Sequence, residues 1–170
     1  DQAIEELKLM GDISGVYSGS NEEVANIADV VFITVPFSAQ RSLLESLKGA
    51  LEGKIIVNTV VPLVRSEGKF GLIDVEEGSA SLQSQSILSG SRVVAAFQNI
   101  SARDMLDLTS SLEGDVVICA DDKEAKELVM ALTERIFSLR AIDGGALESS
   151  RYVEGLTALL LNINSLYGIR

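Results

Sequence analysis

Three groups of neutral polar residues stand where apolar runs of this sequence stop. Thr34 and Pro36 close the run Val30–Val35, Asn58 and Thr59 close KIIVN at 54–58, and Gln98, Asn99 and Ser101 follow SRVVAAF at 91–97. Their functional groups are amides, hydroxyls and backbone, with no paired carboxylates among them and no lysine or cysteine in an activating setting. Such a set suits holding a planar heterocycle in register. It does not suit acid–base or nucleophilic work. The same residue types are also ordinary turn formers, so the pattern by itself leaves both a binding rim and plain turns open.

Exclusions sharpen this. The chain has no histidine, which removes a Ser–His–Asp triad, a Cys–His dyad and any histidine-ligated metal. Its one cysteine, Cys119, lies inside an apolar run and reads as an inert core thiol. Gly11, Gly15 and Gly19 are evenly spaced but do not form G-x-G-x-x-G. Gly144–Gly145 allows a phosphate cradle or a plain helix-entry turn, and glycine pairs mark turns far more often. Arg41, Arg65, Lys69 and Arg151 read as solvated surface cations unless an anionic ligand meets them.

The elements that must position the rim follow from periodicity. DVVFITVPFSAQ at 29–40 begins with an acid, runs through apolar and β-branched residues without polar alternation, and stops at Pro36. That is the pattern of a central parallel strand covered on both faces. Pro36 cannot donate to a ladder, and Ser38 is placed to cap the helix that follows. Ligands of open α/β sheets bind beyond the carboxyl ends of strands, so Thr34, Val35, Pro36 and Phe37 mark one wall of a site. Further strands are expected at 54–58, 91–97, 115–119 and 139–143, with at best a short one at 16–18. Helices are expected at 1–10, 21–27, 38–51, 79–88, 102–108, 121–136 and 146–167. The segment 59–78 holds Pro62, Gly68 and Gly71 and shows only weak structure signals. Strand and helix alternate, which predicts an α/β fold: a truncated, Rossmann-like, doubly wound parallel sheet with a C-terminal helical element. The last helix is apolar on more than one face and belongs in a core or a subunit interface.

With 170 residues the chain is one domain's worth. A net charge of −11 argues against nucleic-acid and anionic-membrane partners. No apolar run reaches the roughly 18 residues of a membrane span. One cysteine is compatible with a reducing compartment.

The blocks ADVVFITVPFSAQ, EGKIIVNTVVPL, SRVVAAFQNISA, DVVICADDKEAKELVMAL and YVEGLTALLLNIN, in this order, resemble the NADPH-dependent reductases of coenzyme F420, an 8-hydroxy-5-deazaflavin. The resemblance implies a Rossmann domain for NADP over 1–145, incomplete here, and a C-terminal helical element over 146–170. It implies hydride transfer between NADP(H) and F420 by alignment of the two rings, with no catalytic side chain and no metal. Thr34, Val35 and Pro36 would meet the nicotinamide side, and Val61, Gln98, Ile100 and Ala102 would line the deazaflavin cleft. With Phe37, Asn58 and Asn99 from the rim, these are the expected cofactor-binding residues. The family's N-terminal Gly-rich unit, which grips the phosphates, has no counterpart in this sequence. A cytoplasmic homodimer is expected. Two other readings stand beside this one: an NADP-dependent reductase of the same superfamily acting on an imine or ketone, and a non-catalytic truncated paralogue serving as a binding or assembly module.

Overall fold

A computed structural model describes residues 14–106, 113–136 and 138–168. The helix expected at 1–10 lies outside the described residues. Helix α1 (Asn21–Ile27) starts on Ser20, whose side chain accepts from the Glu23 amide while the Glu23 carboxylate reaches back to the Ser20 amide. This reciprocal cap satisfies two of the helix's free donors. Residues 16–18 form no strand.

Strand β1 (Val30–Ile33) leads through Pro36 into α2 (Phe37–Leu51). Ser38 does not cap this helix. Pro36 occupies the cap position, and no side-chain hydrogen bond is made there. The fixed φ of proline directs the chain into the first turn, which leaves Ser38 already helical. Then come β2 (Ile55–Asn58), the pair β3 (Leu63–Ser66) and β4 (Lys69–Leu72), α3 (Ala80–Ile87) and β5 (Arg92–Ala95). The chain continues through α4 (Ala102–Leu106), β6 (Gly114–Ala120), α5 (Lys123–Thr133) and β7 (Leu139–Asp143). A short 3-10 turn (Leu147–Ser149) leads into α6 (Ser150–Tyr167), which Gly168 ends in a left-handed conformation.

The main sheet has the order β1-β2-β5-β6-β7. β1, β2 and β5 are parallel, in a register that aligns Ile33 with Asn58 and Asn58 with Ala95. β6 departs from the expected all-parallel sheet. It runs antiparallel to β5, with Val94 opposite Ala120 and Ala95 opposite Cys119, and β7 runs parallel to β6. An antiparallel neighbour needs no return crossover to the far edge, so β6 enters at the edge where β5 leaves. β1 is an edge strand among the described residues, not a central one, and Phe32 is 44% exposed.

One face of the sheet packs on α1, α2 and α3 around Leu44, Leu51, Ile56 and Leu88, with Leu147 and Val153 joining from the C-terminal segment. The other face packs on α5 around Val57, Val94, Ile118, Ala125 and Val129. Each fully buried leucine in these layers contributes roughly 1.5–3 kcal/mol. The segment 59–78 is not the loop its composition indicates. It holds the β3–β4 hairpin, closed by Glu67 and Gly68 at φ 52° and 80°. Two positive φ angles in a two-residue turn match the twist of the flanking strands. Asn162 of α6 donates to Phe70 O at 2.7 Å and accepts from Phe70 N at 2.8 Å, tying the hairpin to the last helix.

Candidate functional site

Because β1, β2 and β5 are parallel neighbours, the segments beyond Ile33, Asn58 and Ala95 emerge on one rim. Thr59 locks two of them together: its amide and its hydroxyl both donate to Ile33 O, at 3.3 and 3.0 Å. After β5 the chain turns sharply at Phe97, which adopts φ 69°. A left-handed conformation costs a residue of this kind about 1–3 kcal/mol, and it persists where surrounding contacts over-determine it. Here the Ile100 amide donates to Phe97 O at 3.1 Å, and the Phe97 ring lies 6.0 Å from that of Phe32.

The rim encloses a cleft of about 590 Å³. Phe32, Thr34, Val35, Pro36 and Phe37 line it from the end of β1, and Phe97, Gln98, Ile100, Ala102 and Met105 from the segment after β5. Thr59, Val60, Val61 and Leu63 lie between them, Leu132 and Ile136 reach in from the α5 side, and Thr157 from α6. Every lining side chain is apolar, an amide or a hydroxyl, and none is ionisable. Apolar walls with a few placed polar groups are the ordinary make-up of a small-molecule site.

Eight of the ten expected site residues therefore share one cleft. Asn58 and Asn99 do not line it. Asn58 is fully buried inside β2, where its Nδ2 donates to Gln40 Oε1 at 2.8 Å and to Ser84 Oγ at 2.6 Å, while its Oδ1 accepts from Val60 N at 2.9 Å. Asn99 points toward β6, its Nδ2 donating to Asp115 O at 2.6 Å. Of the expected surface cations, Arg41 bonds Glu77 at 2.7 Å. The Gly144–Gly145 pair is a turn. The Gly144 amide donates to Ile118 O and the Gly145 amide to Asp143 Oδ1, both at 2.8 Å, so neither is left to cradle an anion.

Among the described residues two buried amide oxygens lack a partner, Gln98 Oε1 and Asn99 Oδ1, and of these two residues only Gln98 lines the cleft. It is 4% exposed, and its Nε2 donates to Asn58 O at 3.0 Å and Ser81 Oγ at 3.4 Å. A carbonyl can only accept, so this fixes the amide the other way round at Oε1, which has no partner. A buried acceptor left unpaired costs about 1–3 kcal/mol, and this one belongs to a residue that lines the cleft, though the oxygen itself is covered. Thr157 steadies the same residue by donating to Gln98 O at 2.7 Å.

Sequence reasoning missed Thr157, Leu132, Ile136, Met105 and the hairpin's Leu63. For Thr157 a signal was present: Ser150, Glu154 and Thr157 stand four and three residues apart in the last helix, which stacks them on one face. Glu154 on that face is 1% exposed. Its carboxylate accepts from Ala80 N at 2.9 Å, Ser81 N at 3.2 Å and Ser81 Oγ at 3.1 Å. Burial pushes its pKa above the ordinary carboxylate range, against the pull of those donors.

A layered α/β sheet with an apolar, charge-free cleft at the carboxyl edge of its parallel strands defines a Rossmann-like domain with a small-molecule site. The sequence profile of the family "NADP oxidoreductase coenzyme F420-dependent" matches residues 2–62. The chain is 40% identical over 153 residues to the F420-dependent NADP reductase of Methanothermobacter marburgensis, covering 88% of this chain and 68% of that protein. It is 36% identical over 168 residues to the F420-dependent NADP reductase of Methanocaldococcus jannaschii, covering 98% of this chain and 75% of that protein. A crystal structure from Arthrobacter sp. FB24, provisionally described as an F420-dependent NADP reductase, superposes with a TM-score of 0.76 at 24% identity, covering 86% of this chain and 69% of that one. The chain belongs to the family of F420-dependent NADP reductases.

Proposed function

We propose that this protein transfers a hydride between NADP(H) and coenzyme F420, with the two rings held face to face in the cleft between Pro36 and Gln98. The observation that carries this reading is the lining itself: two largely apolar walls, no ionisable group, and one orphaned acceptor at Gln98 Oε1. The nicotinamide and the deazaflavin would supply donor and acceptor carbons, and the hydride would pass directly between them. Such a transfer asks for alignment within roughly 3–3.5 Å and needs no protein acid or base. On this reading Thr34, Val35, Pro36 and Phe37 back the nicotinamide. Val61, Gln98, Ile100 and Ala102 face the deazaflavin, with Gln98 Oε1 accepting from a ring N–H. The apolar lining keeps water away from the transferring hydride.

The proposal divides the chain into an NADP-binding part over 1–145 and a C-terminal helical element over 146–170. It includes a homodimer. α6 presents Leu156, Leu159, Ile163 and Leu166 to solvent, with Leu166 78% exposed, and a second copy would cover this face. A monomeric mass by light scattering at micromolar concentration would count against it. No helix of the described residues is long and apolar enough to cross a membrane. The proposal sets the reaction in the cytoplasm, in keeping with a single, buried, unpaired thiol at Cys119.

The test is anaerobic mixing of the protein with NADPH and F420. Loss of the oxidised deazaflavin's absorbance in step with NADPH oxidation is expected. Cofactors that react with a control reductase but not with this protein would sink the reading. NADPH oxidation driven by a cyclic imine without deazaflavin would replace it with the imine-reductase alternative.

A further inference from the structure

Gln98 is held from behind by an acid that never touches the cleft. Ser81 has one hydroxyl proton, and Glu154 Oε1 accepts it at 3.1 Å. With its proton so directed, Ser81 Oγ can only accept from the Gln98 amide, and it does so from Nε2 at 3.4 Å. Nε2 then has two acceptors behind it, Ser81 Oγ and Asn58 O, and Oε1 is left without a partner. No cationic side chain bonds Glu154 among the described residues. Its partners are the two amides and the hydroxyl at the start of α3, and its charge is felt by the Cys119 thiol of β6.

We infer that Glu154 is a positioning residue: acting through the Ser81 hydroxyl, it gives Gln98 Nε2 a second acceptor beside Asn58 O and so steadies the amide whose oxygen is left for the bound heterocycle. This deepens the proposed function and rests on it only for the identity of the ligand. A carboxylate that merely capped α3 would need the Ala80 and Ser81 amides alone. The link to the Ser81 hydroxyl, and from there to Gln98, is what a capping role leaves unexplained.

The inference separates from capping by a double-mutant cycle. Ser81→Ala removes the hydroxyl and keeps the capped amides. Glu154→Leu removes both acceptor oxygens, whereas a glutamine could keep its one oxygen on the Ser81 amide and hydroxyl, which share Oε1. Each variant is expected to raise the KM for F420 about fivefold, the worth of one weakened buried hydrogen bond, with kcat and the KM for NADPH within about twofold. The double variant should be no worse than either single one, because both act on the same link. Additive effects on the F420 KM, or none in Ser81→Ala, would overturn the inference, whatever Glu154→Leu does to stability. A second arm needs no cofactor. In the ligand-free protein the Gln98 side-chain amide resonances, assigned by their loss in Gln98→Leu, should shift in both single variants. Unmoved resonances would also overturn it. If the wild type turns over no F420, the proposed function fails while this spectroscopic arm still decides the role of Glu154.

Discussion

Asn58 and Gln98 are carboxamides at the ends of neighbouring parallel strands, and both are buried. They differ in what their polar atoms meet. Asn58 has partners at both ends, joining α2, α3 and the start of the segment after β2. Gln98 has side-chain partners at its nitrogen only, and its oxygen is covered and unpaired beside the cleft. A saturated amide in a core holds elements together. A half-saturated one beside a cavity keeps a bonding capacity in reserve for something that arrives later. On the proposed reading, the same residue chemistry at the same sheet edge serves structure at one strand and recognition at the next.

The largest effect is expected at the saturated corner. Asn58→Ala leaves Gln40, Ser84 and the Val60 amide without their shared partner in a dry interior. A stability loss of about 2–4 kcal/mol in denaturant unfolding is expected. A loss below about 1 kcal/mol would erase the distinction. Gln98→Leu should do the reverse. Asn58 O keeps a donor in the Ala96 amide at 3.1 Å, so stability should stay within about 1 kcal/mol. The F420 KM should rise roughly tenfold, and an unchanged KM would show that the orphaned oxygen meets no ligand. The smallest effect is a pH slope from Glu154. Its pKa in the folded protein lies above its unfolded value because of burial. The folded state thus holds this proton more tightly. The contribution of Glu154 is full below the ordinary carboxylate pKa and falls away as pH rises through the folded value. Unfolding free energies measured across that window should lose this part of their slope in Glu154→Gln. An unaltered slope would mean the acid is not desolvated as its burial indicates.

How legible these corners were depended on range. The rim could be read because each strand announces its own end, through Pro36, through Asn58–Thr59, and through Gln98 after an apolar run. That three such ends meet needs only parallel pairing of β1, β2 and β5. The residues that distinguish the two amides could not be read, since they come from far along the chain: Gln40 and Ser84 behind Asn58, Ser81 and Thr157 around Gln98. The direction of β6 also escaped, because an apolar strand such as DVVIC looks the same in either orientation. The β3–β4 hairpin hid for a local reason. Its strands are four residues each, half exposed, and carry a glycine and charges where periodicity expects apolar residues. Phe97 hid because nothing in its type announces a positive φ.

Asn162 has a consequence beyond holding the hairpin in place. Its side-chain amide gives Phe70 one donor and one acceptor, which is what a neighbouring strand would give. A two-stranded ribbon normally shows an unpaired edge to any passing chain and can recruit it. Here the last helix has answered that edge from within the molecule, so it acts as a guard against edge-to-edge aggregation as well as a wall of the cleft.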